Sequence, residues 1–316
     1  MNILLVGSEA ASLQTFKRIL KAKHHVTAVL SAPAPYEFRG ASLVAMAEKE
    51  GVPVWSGTLV KDPQFAEVLR SHHVDILLNV NSLYRVCPEV LEAPRIGAFN
   101  FHPSLLPRYA GLNAPSWAVF YGEQSHGVTI HWMVPKIDAG AIAYQIEFPI
   151  DPADTCARVS YKCVTHAVSL LECLLEVAAA NPDAIPRIPQ DLTQRKYFHA
   201  GPPDEGCIRW ARPAWAIVNF LRACEYRPFP SPWGRPRTTL RGREIGLVDG
   251  RSTHSPTDQV PGTVGRVYKD GVEIACADEW LLVTELFVDG SYLPAAEHLS
   301  PGVRLEDIVT SVTRHE

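Results

Sequence analysis

The sequence has little of what marks a secreted, membrane-bound or metal-binding protein. Its seven cysteines are scattered and never spaced as Cys-x-x-Cys, which argues against a disulfide framework and a structural zinc site. No stretch of 18 consecutive apolar residues is present, and the N-terminus lacks the basic leader of a signal peptide. We therefore expect a cytoplasmic protein with no membrane partner, in which most cysteines are small buried side chains.

A dinucleotide-binding fingerprint is also missing. The first apolar run, from Asn2 to Val6, is followed by a helical pattern and a second apolar run, which predicts a βαβ opening. A dinucleotide site needs Gly-x-Gly-x-x-Gly at the first turn so that pyrophosphate can approach the backbone, and only Gly7 is present. The sequence therefore argues against a nicotinamide enzyme.

The chain as a whole has no large excess of positive or negative charge, but one part of it is rich in positive charge. The net charge of -4 gives no general attraction to nucleic acid. Between Cys207 and Arg251, however, nine arginines stand against Glu225, Glu244 and Asp249. We interpret this arginine-rich stretch as a solvated face rather than a phosphate or RNA surface, although it is the best candidate for holding an anionic ligand.

Length and pattern predict two domains of different architecture. The 316 residues and the hydrophobic fraction of 47% are ordinary for a globular chain of two domains. Residues 75–80 form a near-continuous apolar run, the pattern of a parallel strand covered on both faces. After a proline-rich stretch, short alternating runs broken by glycines predict five or six strands of a small barrel.

We therefore predict an α/β fold in three parts. Residues 1–182 form a Rossmann-like, mostly parallel sheet with helices on both faces. Residues 183–206 form a linker, and residues 207–316 form a small C-terminal β-barrel domain that is OB-like.

The residues that could carry chemistry stand in one short strand. Phe99 and Phe101 alternate with Asn100 and His102, so the aromatic rings share one face of the strand and the amide and imidazole share the other. Pro103 cannot continue a central ladder, which places Asn100 and His102 at the carboxyl end of their strand. Open α/β sheets bind ligands at that edge, so the sequence predicts a site there.

The order of motifs around this strand resembles the 10-formyltetrahydrofolate-dependent formyltransferases. The matching motifs are Asn100-x-His102, Ser104-Leu105-Leu106-Pro107-Arg108, Gly111 and Val134-Pro135-Lys136-Ile137-Asp138-Ala139-Gly140. The likeness covers the predicted first domain and, more weakly, the C-terminal one. It implies a one-carbon transferase that uses 10-formyltetrahydrofolate as co-substrate and needs no metal.

The resemblance implies roles for Asn100, His102 and Asp138 as catalytic residues. Formyl transfer to an amine passes through a tetrahedral intermediate, whose oxyanion can accept hydrogen bonds from Asn100 and from protonated His102. Asp138, if it approaches His102, raises the pKa of the imidazole, orients it and accepts the proton of the amine. Each residue alone also fits a structural reading, as a strand-end histidine or a turn-forming asparagine or aspartate.

Further residues are assigned by the same resemblance or by pattern. The candidate folate-binding residues are Leu83, Tyr84, Arg85, Val86, Ser104, Leu105, Leu106, Pro107 and Ile137. The strand and helix histidines His126, His131 and His166 are read as structural.

The acceptor of the formyl group is left open by these motifs. This chain has Ala110 where tRNA and sugar formyltransferases usually have arginine, and the segment up to Trp117 resembles formyltransferase domains of natural-product assemblies. We therefore expect N-formylation of an amine or hydroxylamine on a small molecule, free or tethered to a carrier protein, in natural-product biosynthesis. The alternatives are methionyl-tRNA, a nucleotide-linked amino sugar, or, since Ala110 and Ala141 depart from the family pattern, a catalytically silent folate- or carrier-binding module. A homodimer is a further expectation.

Overall fold

The computed structural model describes residues 1–7, 10–31, 42–82 and 84–308. The chain divides into two compact units. The first contains Met1–Ala114, Ser125–Pro149 and Ser160–Phe198, and the second contains Pro115–Gln124, Ile150–Val159 and the described residues from His199 onward.

The first unit is built on one large sheet and one small ladder. Its strands are β1 Asn2–Gly7, β2 His25–Ser31, β3 Val54–Ser56, β4 Ile76–Val80, β5 Gly97–His102, β6 Ala110–Gly111, β7 Ser125–Trp132, β8 Ile142–Pro149 and β9 Tyr197–Phe198. The large sheet has the order β3-β2-β1-β4-β5-β7-β8, in which β1 to β5 run parallel and β7 and β8 are antiparallel. The ladder pairs β6 with β9 in parallel. The predicted Rossmann-like, mostly parallel sheet is therefore confirmed.

Helices cover this sheet because its middle strands are apolar on both faces. The helices of this unit are α1 Ala10–Lys21, α2 Leu43–Lys49, α3 Phe65–Ser71, α4 Pro88–Leu91 and, from Ser160 onward, α6 Cys156–Ala180, whereas α5 Ala114–Tyr121 belongs to the second unit except for its first residue. On one face, Leu4 of β1 shares a core cluster with Phe65 and Leu69 of α3. Its neighbours Ile3 and Leu5 point to the opposite face and are also fully buried. Both faces are thus removed from water.

Helix α6 is long and apolar. Its 25 residues include an 18-residue window of mean hydropathy 1.6, so by length and composition it could cross a membrane. The sequence showed no continuous apolar stretch because lone charges such as Glu172 interrupt it. Its buried side chains Cys163, Ala167, Leu171 and Leu174 follow one another at intervals of three and four, which is one face of a helix.

The second unit holds a curled antiparallel sheet. Its strands are β10 Arg237–Leu240, β11 Arg243–Pro256, β12 Val264–Tyr268, β13 Gly271–Ala275, β14 Glu279–Val288, β15 Ser291–Pro294 and β16 Leu305–Glu306, and its further helices are α7 Ala214–Cys224 and α8 Ala295–His298. The order is β12-β13-β14-β11-β10-β16, with β15 beside β14. Leu305 N donates to Gly262 O and Val264 N donates to Val303 O, each over 2.8 Å, so the two ends of the sheet approach each other.

The core of this sheet is apolar, which agrees with the predicted small β-rich domain. Trp210, Ile217 and Leu221 are buried with Leu247 and Val283 of the strands. The β11 strand is longer than the short alternating runs led us to expect, because it continues through Gly250 as it bends around the core.

The predicted division at residues 182 and 206 stays a prediction, to which the structure adds one fact. The part of the predicted linker up to Phe198 packs within the first unit. It contains the 3₁₀ turns Pro182–Ala184 and Leu192–Gln194 and ends in β9.

Candidate functional site

The register of the large sheet lines up polar side chains at the end of β5. Asn100 lies opposite Asn79 of β4 on one side and opposite His131 of β7 on the other. His102 lies opposite Thr129 of β7. Since paired residues point to the same face of a sheet, these five side chains form one polar group. The strand ends at His102, which confirms the predicted position of Asn100 and His102 at its carboxyl end.

The amide of Asn100 is oriented by its two neighbours. Its Oδ1 accepts from Asn79 Nδ2 over 2.7 Å, and its Nδ2 lies 3.1 Å from His131 Nε2. His131 Nδ1 lies 2.8 Å from Trp132 O, which can only accept, so His131 carries its proton on Nδ1 and Nε2 accepts from Asn100. The second N–H of Asn100 has no partner among the described residues, and the side chain is partly exposed. Asn100 can therefore donate to a ligand.

The imidazole of His102 is fixed in the same way. Its Nε2 lies 2.8 Å from the carbonyl oxygen of Tyr109 and therefore donates to it. Its Nδ1 lies 3.5 Å from Asp138 Oδ1. Neutral His102 thus presents the lone pair of Nδ1 toward the carboxylate.

Asp138 joins this group from the loop between β7 and β8. Its Oδ2 accepts from Gly111 N over 2.8 Å, and its Oδ1 lies 3.5 Å from both His102 Nδ1 and His131 Nε2. The side chain is buried, and the residue has a φ of 53°. Non-glycine residues adopt this region at a cost, and such residues are frequent at functional sites. The structure therefore brings Asn100, His102 and Asp138 together, as predicted.

Burial and neighbouring charges determine the protonation states of Asp138 and His102. Burial by itself raises the pKa of Asp138, but attraction to protonated His102, the nearby imidazole of His131 and the hydrogen bond from Gly111 N together outweigh it and lower that pKa to about 2. Burial lowers the pKa of His102, and Asp138 and the Tyr109 carbonyl offset this only in part. Asp138 raises the pKa of His102, as expected, but the net direction is downward because burial of the imidazole has the larger effect.

These directions place an ionised carboxylate beside a neutral imidazole at neutral pH. Asp138 Oδ1 and His102 Nδ1 are then two acceptors facing one another at 3.5 Å. A proton delivered to His102 Nδ1 would lie between them and be held by both groups. The pair is therefore arranged to take a proton from a bound molecule.

The turn after β5 is held by Thr129. Its hydroxyl donates to Ser104 O over 2.6 Å and accepts from Leu106 N over 3.2 Å and from Gln145 Nε2 over 2.7 Å. The hydroxyl of Ser104 donates to Arg108 O and is buried. This turn therefore has a defined shape next to His102.

The predicted folate-binding residues lie in different surroundings, and their role stays a prediction. Tyr84 packs against Gly57 and lies under the ammonium group of Lys61, and Arg85 is exposed. Val86 is 5% exposed and belongs to a core cluster of the first unit. Leu106 is also buried, Leu105 and Pro107 are half-buried, and Ile137 is 42% exposed. Leu83 lies outside the described residues.

Sequence reasoning missed several residues of the group. We interpreted His131 as structural, which stays a prediction; sequence reasoning missed that it contacts both Asn100 and Asp138. Asn79 was also missed; its Oδ1 is buried and has no partner among the described residues. Thr129 and His131 alternate with apolar residues before the Asp138 loop, as Asn100 and His102 do in β5. This alternation could have identified His131 as a neighbour of the site.

The arginine-rich stretch, which lies in the second unit, is compensated by acids. Seven of its nine arginines form ion pairs with carboxylates, namely Arg209 with Asp307, Arg212 with Asp204, Arg227 with Glu225 and Glu285, Arg235 with Glu225, Arg237 with Glu244, Arg243 with Asp289, and Arg251 with Asp270. Arg222 donates to the carbonyl oxygens of Asp151 and Asp154. These contacts support the interpretation as a solvated face.

The geometry of the polar group fits acyl transfer to an amine. An oriented amide donor can stabilise an oxyanion, and the neighbouring imidazole and carboxylate can remove a proton. No group of three or more His, Cys, Asp and Glu side chains among the described residues is placed to hold a metal ion.

Comparison with known proteins gives a matching family and full-length relatives. A family described as "Formyl transferase" matches residues 1–173, and "Formyl transferase, C-terminal domain" matches residues 202–300. The methionyl-tRNA formyltransferase of Moorella thermoacetica is 30% identical over 305 residues, which cover 95% of this chain and 96% of that protein. The corresponding enzyme of Geobacillus thermodenitrificans is 29% identical over 308 residues, which cover 95% and 94%.

Solved structures share the fold at lower identity. A sugar 3N-formyl transferase, WlaRD, in the presence of dTDP and 5-N-formyl-THF, has a TM-score of 0.66 and 16% identity, with 90% of this chain and 96% of that chain covered. The N-formyltransferase of Helicobacter canadensis, in complex with folinic acid and dTDP-3-aminofucose, has a TM-score of 0.66 and 17% identity, with 89% and 97% covered.

Proposed function

Since this chain belongs to the formyl transferase family and is a formyl-transferring enzyme, we propose that it moves the formyl group of 10-formyltetrahydrofolate to an amine. The observation that carries this proposal is the meeting of Asn100, His102 and Asp138 at the carboxyl end of β5. The spare N–H of Asn100 and the unpartnered buried Oδ1 of Asn79 fit a polar co-substrate. Tetrahydrofolate or a formyl derivative is bound in solved relatives of the same fold.

The co-substrate supplies an activated formyl carbon, and three side chains perform the transfer. As the amine nitrogen bonds to that carbon, Asn100 donates its second N–H to the oxygen that becomes negative. The excess proton of the nitrogen passes to His102 Nδ1, where Asp138 stabilises the resulting imidazolium. When the bond between the carbon and its former nitrogen breaks, His102 returns the proton to that leaving nitrogen. Charges and protons balance, and His102 ends neutral.

The acceptor that we propose is a primary amine or hydroxylamine on a small molecule, free or carrier-tethered, in natural-product biosynthesis. Two observations support a small acceptor. Seven of the nine arginines of the arginine-rich stretch are paired with acids, and Ala110 stands where the resemblance to tRNA and sugar formyltransferases would lead us to expect an arginine. A location in the cytoplasm and a homodimer stay predictions.

Methionyl-tRNA is a second candidate acceptor, because relatives of that name match nearly the whole length of this chain. An amino group on a nucleotide-linked sugar is a third, by likeness to the structure solved with dTDP-3-aminofucose. All three acceptors present a nucleophilic nitrogen that carries hydrogen, so the same three side chains serve each of them.

Turnover assays separate these acceptors. The protein is incubated with 10-formyltetrahydrofolate and a panel of amino acids, hydroxylamines, dTDP-amino sugars and methionyl-tRNA, and release of tetrahydrofolate is followed. We expect turnover with a small amine or hydroxylamine and a loss of about 100-fold or more in Asn100→Leu. The control is Asn181→Leu, which changes an exposed asparagine at a 3₁₀ turn. Turnover with methionyl-tRNA alone would overturn the small acceptor, and unchanged turnover in Asn100→Leu would overturn the mechanism.

A further inference from the structure

We propose that Gln190 is a positioning residue, which holds the Asp138 loop (residues 134–140) in the conformation that formyl transfer needs. This inference rests on the proposed function and deepens it, because it concerns how the carboxylate of Asp138 is kept beside His102. Gln190 lies in the segment 186–198, which the sequence presented as part of a linker.

The Asp138 loop depends on contacts from outside itself. Asp138 has a φ of 53°, a region in which a non-glycine residue is less stable than in extended or helical backbone. Inside the loop, Ala139 N donates to Lys136 O over 3.3 Å, which is a long hydrogen bond. Other donors must therefore fix the main chain on both sides of the Asp138 side chain.

Gln190 supplies such donors. Its Nε2 lies 3.1 Å from Asp138 O and 2.6 Å from Gly140 O. Both partners are carbonyl oxygens, so the nitrogen of the amide must face them, and the orientation of Gln190 is determined. Arg195 Nη2 donates to Ile137 O over 3.1 Å, from the same segment. Three carbonyl groups around Asp138 are thus tied to two side chains.

The segment can act as a holder because both its ends are anchored. Near its start, Ile188 and Ile142 exchange backbone hydrogen bonds of 2.8 and 3.0 Å. At its end, Phe198 and its neighbour pair with β6, which contains Gly111. Gly111 N donates to Asp138 Oδ2, so the segment supports both the backbone of Asp138 and the donor that holds its carboxylate.

Two substitutions test the role of Gln190. Gln190→Leu keeps the size of the side chain and removes both donors, whereas Gln190→Glu places an acceptor against two carbonyl oxygens. We expect kcat to fall about 10- to 100-fold in Gln190→Leu and further in Gln190→Glu, because a small misplacement of a reacting group is costly. KM for the acceptor and for 10-formyltetrahydrofolate should change by less than about twofold, since neither is bound by Gln190. The control Gln194→Leu removes an exposed amide that donates to Asp191 in the same segment, and it should behave as wild type.

A double variant shows whether Gln190 acts through Asp138. If it does, Gln190→Leu combined with Asp138→Asn turns over no more slowly than Asp138→Asn alone. A fully additive loss, or an unchanged kcat in Gln190→Leu, would overturn the proposal.

A measurement that needs no turnover separates this inference from the proposed function. Carbon NMR of labelled aspartate should show the pKa of Asp138 rising from about 2 toward the ordinary aspartate range in Gln190→Leu. If wild type formylates no amine but this pKa rises, the positioning of Asp138 by Gln190 stands and the proposed function falls. An unchanged pKa of Asp138 in Gln190→Leu would overturn the positioning itself.

Discussion

The hydrogen bonds of His102 determine where this side chain can bind a proton. His102 donates through Nε2 to a main-chain carbonyl, so its remaining nitrogen is the only imidazole atom that can accept a proton. That nitrogen faces Asp138, whose carboxylate is ionised at neutral pH because its pKa is lowered to about 2. Burial keeps His102 neutral, and the carboxylate stabilises the cation once it forms. Under the proposed mechanism, the two effects together let His102 accept a proton and release it again in one cycle.

The lowered pKa of Asp138 makes the protein less stable in acid. A carboxyl group with a pKa of about 2 in the folded chain and near 3.9 in the unfolded chain contributes about 2 kcal/mol above pH 4. This contribution is lost as the pH falls through the folded pKa, and about half of it is gone near pH 3. We therefore expect the difference in unfolding free energy between wild type and Asp138→Asn to shrink from pH 5 to pH 3. Urea unfolding at a series of pH values measures it, and a difference independent of pH would contradict the low pKa.

His102 adds to the acid sensitivity in a higher range. Its pKa is lowered in the folded chain, so between the ordinary value of 6.5 and the folded value the unfolded chain binds more protons. Stability contributed by neutral His102 is therefore lost as the pH falls below about 6.5. His102→Gln should remove this loss between pH 6.5 and 5, and the same urea titrations would show it as a flatter curve. A variant curve parallel to that of wild type would mean that the pKa of His102 is not lowered.

Thr129 decides the shape of the turn that follows β5. Thr129→Val keeps the volume of the side chain and leaves Ser104 O and Leu106 N without their partner in a buried place. We expect a loss of about 1–3 kcal/mol in unfolding free energy and a raised KM for 10-formyltetrahydrofolate. The control Thr165→Val removes an exposed hydroxyl that bonds to its own helix and should cost less than about 0.5 kcal/mol. Equal losses in the two variants would show that the turn does not depend on Thr129.

At the scale of elements, the local sequence pattern predicted strand β5 but not which strands pair with it. The alternation around Asn100 and the stop at Pro103 are local signals, and both were sufficient to place two site residues. The pairing of β5 with β7 brings His131 beside Asn100, and pairing between strands is set by contacts distant in sequence. The sequence could therefore show that His131 alternates on a strand but could not show which strand lies next to it.

The contacts of the predicted linker were likewise not visible in the sequence. Residues 183–206 are rich in proline and lack periodicity, which is also the composition of an ordered segment without regular structure. The hydrogen bonds of this segment to Ile142, to the Asp138 loop and to β6 all join residues that are distant in sequence. The net direction of the pKa of His102 was missed for a related reason, since burial is a property of the assembled fold.

The ladder of β6 and β9 gives a prediction about an element. Gly111 has a φ of 97°, and a Cβ there would collide with Phe198 O. Gly111→Ala should therefore separate the two strands and withdraw the N–H that holds Asp138, with a loss of about 2–4 kcal/mol in stability and of kcat as well. Gly51→Ala is the control, because Gly51 also has a positive φ but open space around it. Thermal unfolding and turnover of both variants would test this, and similar results for the two would show that the ladder does not hold Asp138 in place.

At the scale of the whole molecule, the paired arginines of the second unit could serve either its stability or the binding of an anionic acceptor, and substitutions distinguish the two roles. Arg235 is 10% exposed and bonds to Glu225, to Cys224 O and to Tyr292, whereas Arg251 and its partner Asp270 are both more than 60% exposed. We expect Arg235→Met to cost about 1–3 kcal/mol of unfolding free energy, because it removes hydrogen bonds from a partly buried carboxylate. Arg251→Met should change stability by less than about 0.5 kcal/mol. The same variant tests whether the arginine-rich stretch binds phosphate. If it does not, and if methionyl-tRNA is a substrate, the KM for methionyl-tRNA in Arg251→Met equals that of wild type. The dependence of this KM on salt concentration is then also unchanged. A raised KM together with a weaker salt dependence would instead assign the arginine-rich stretch to an anionic acceptor and would favour the tRNA over the small molecule.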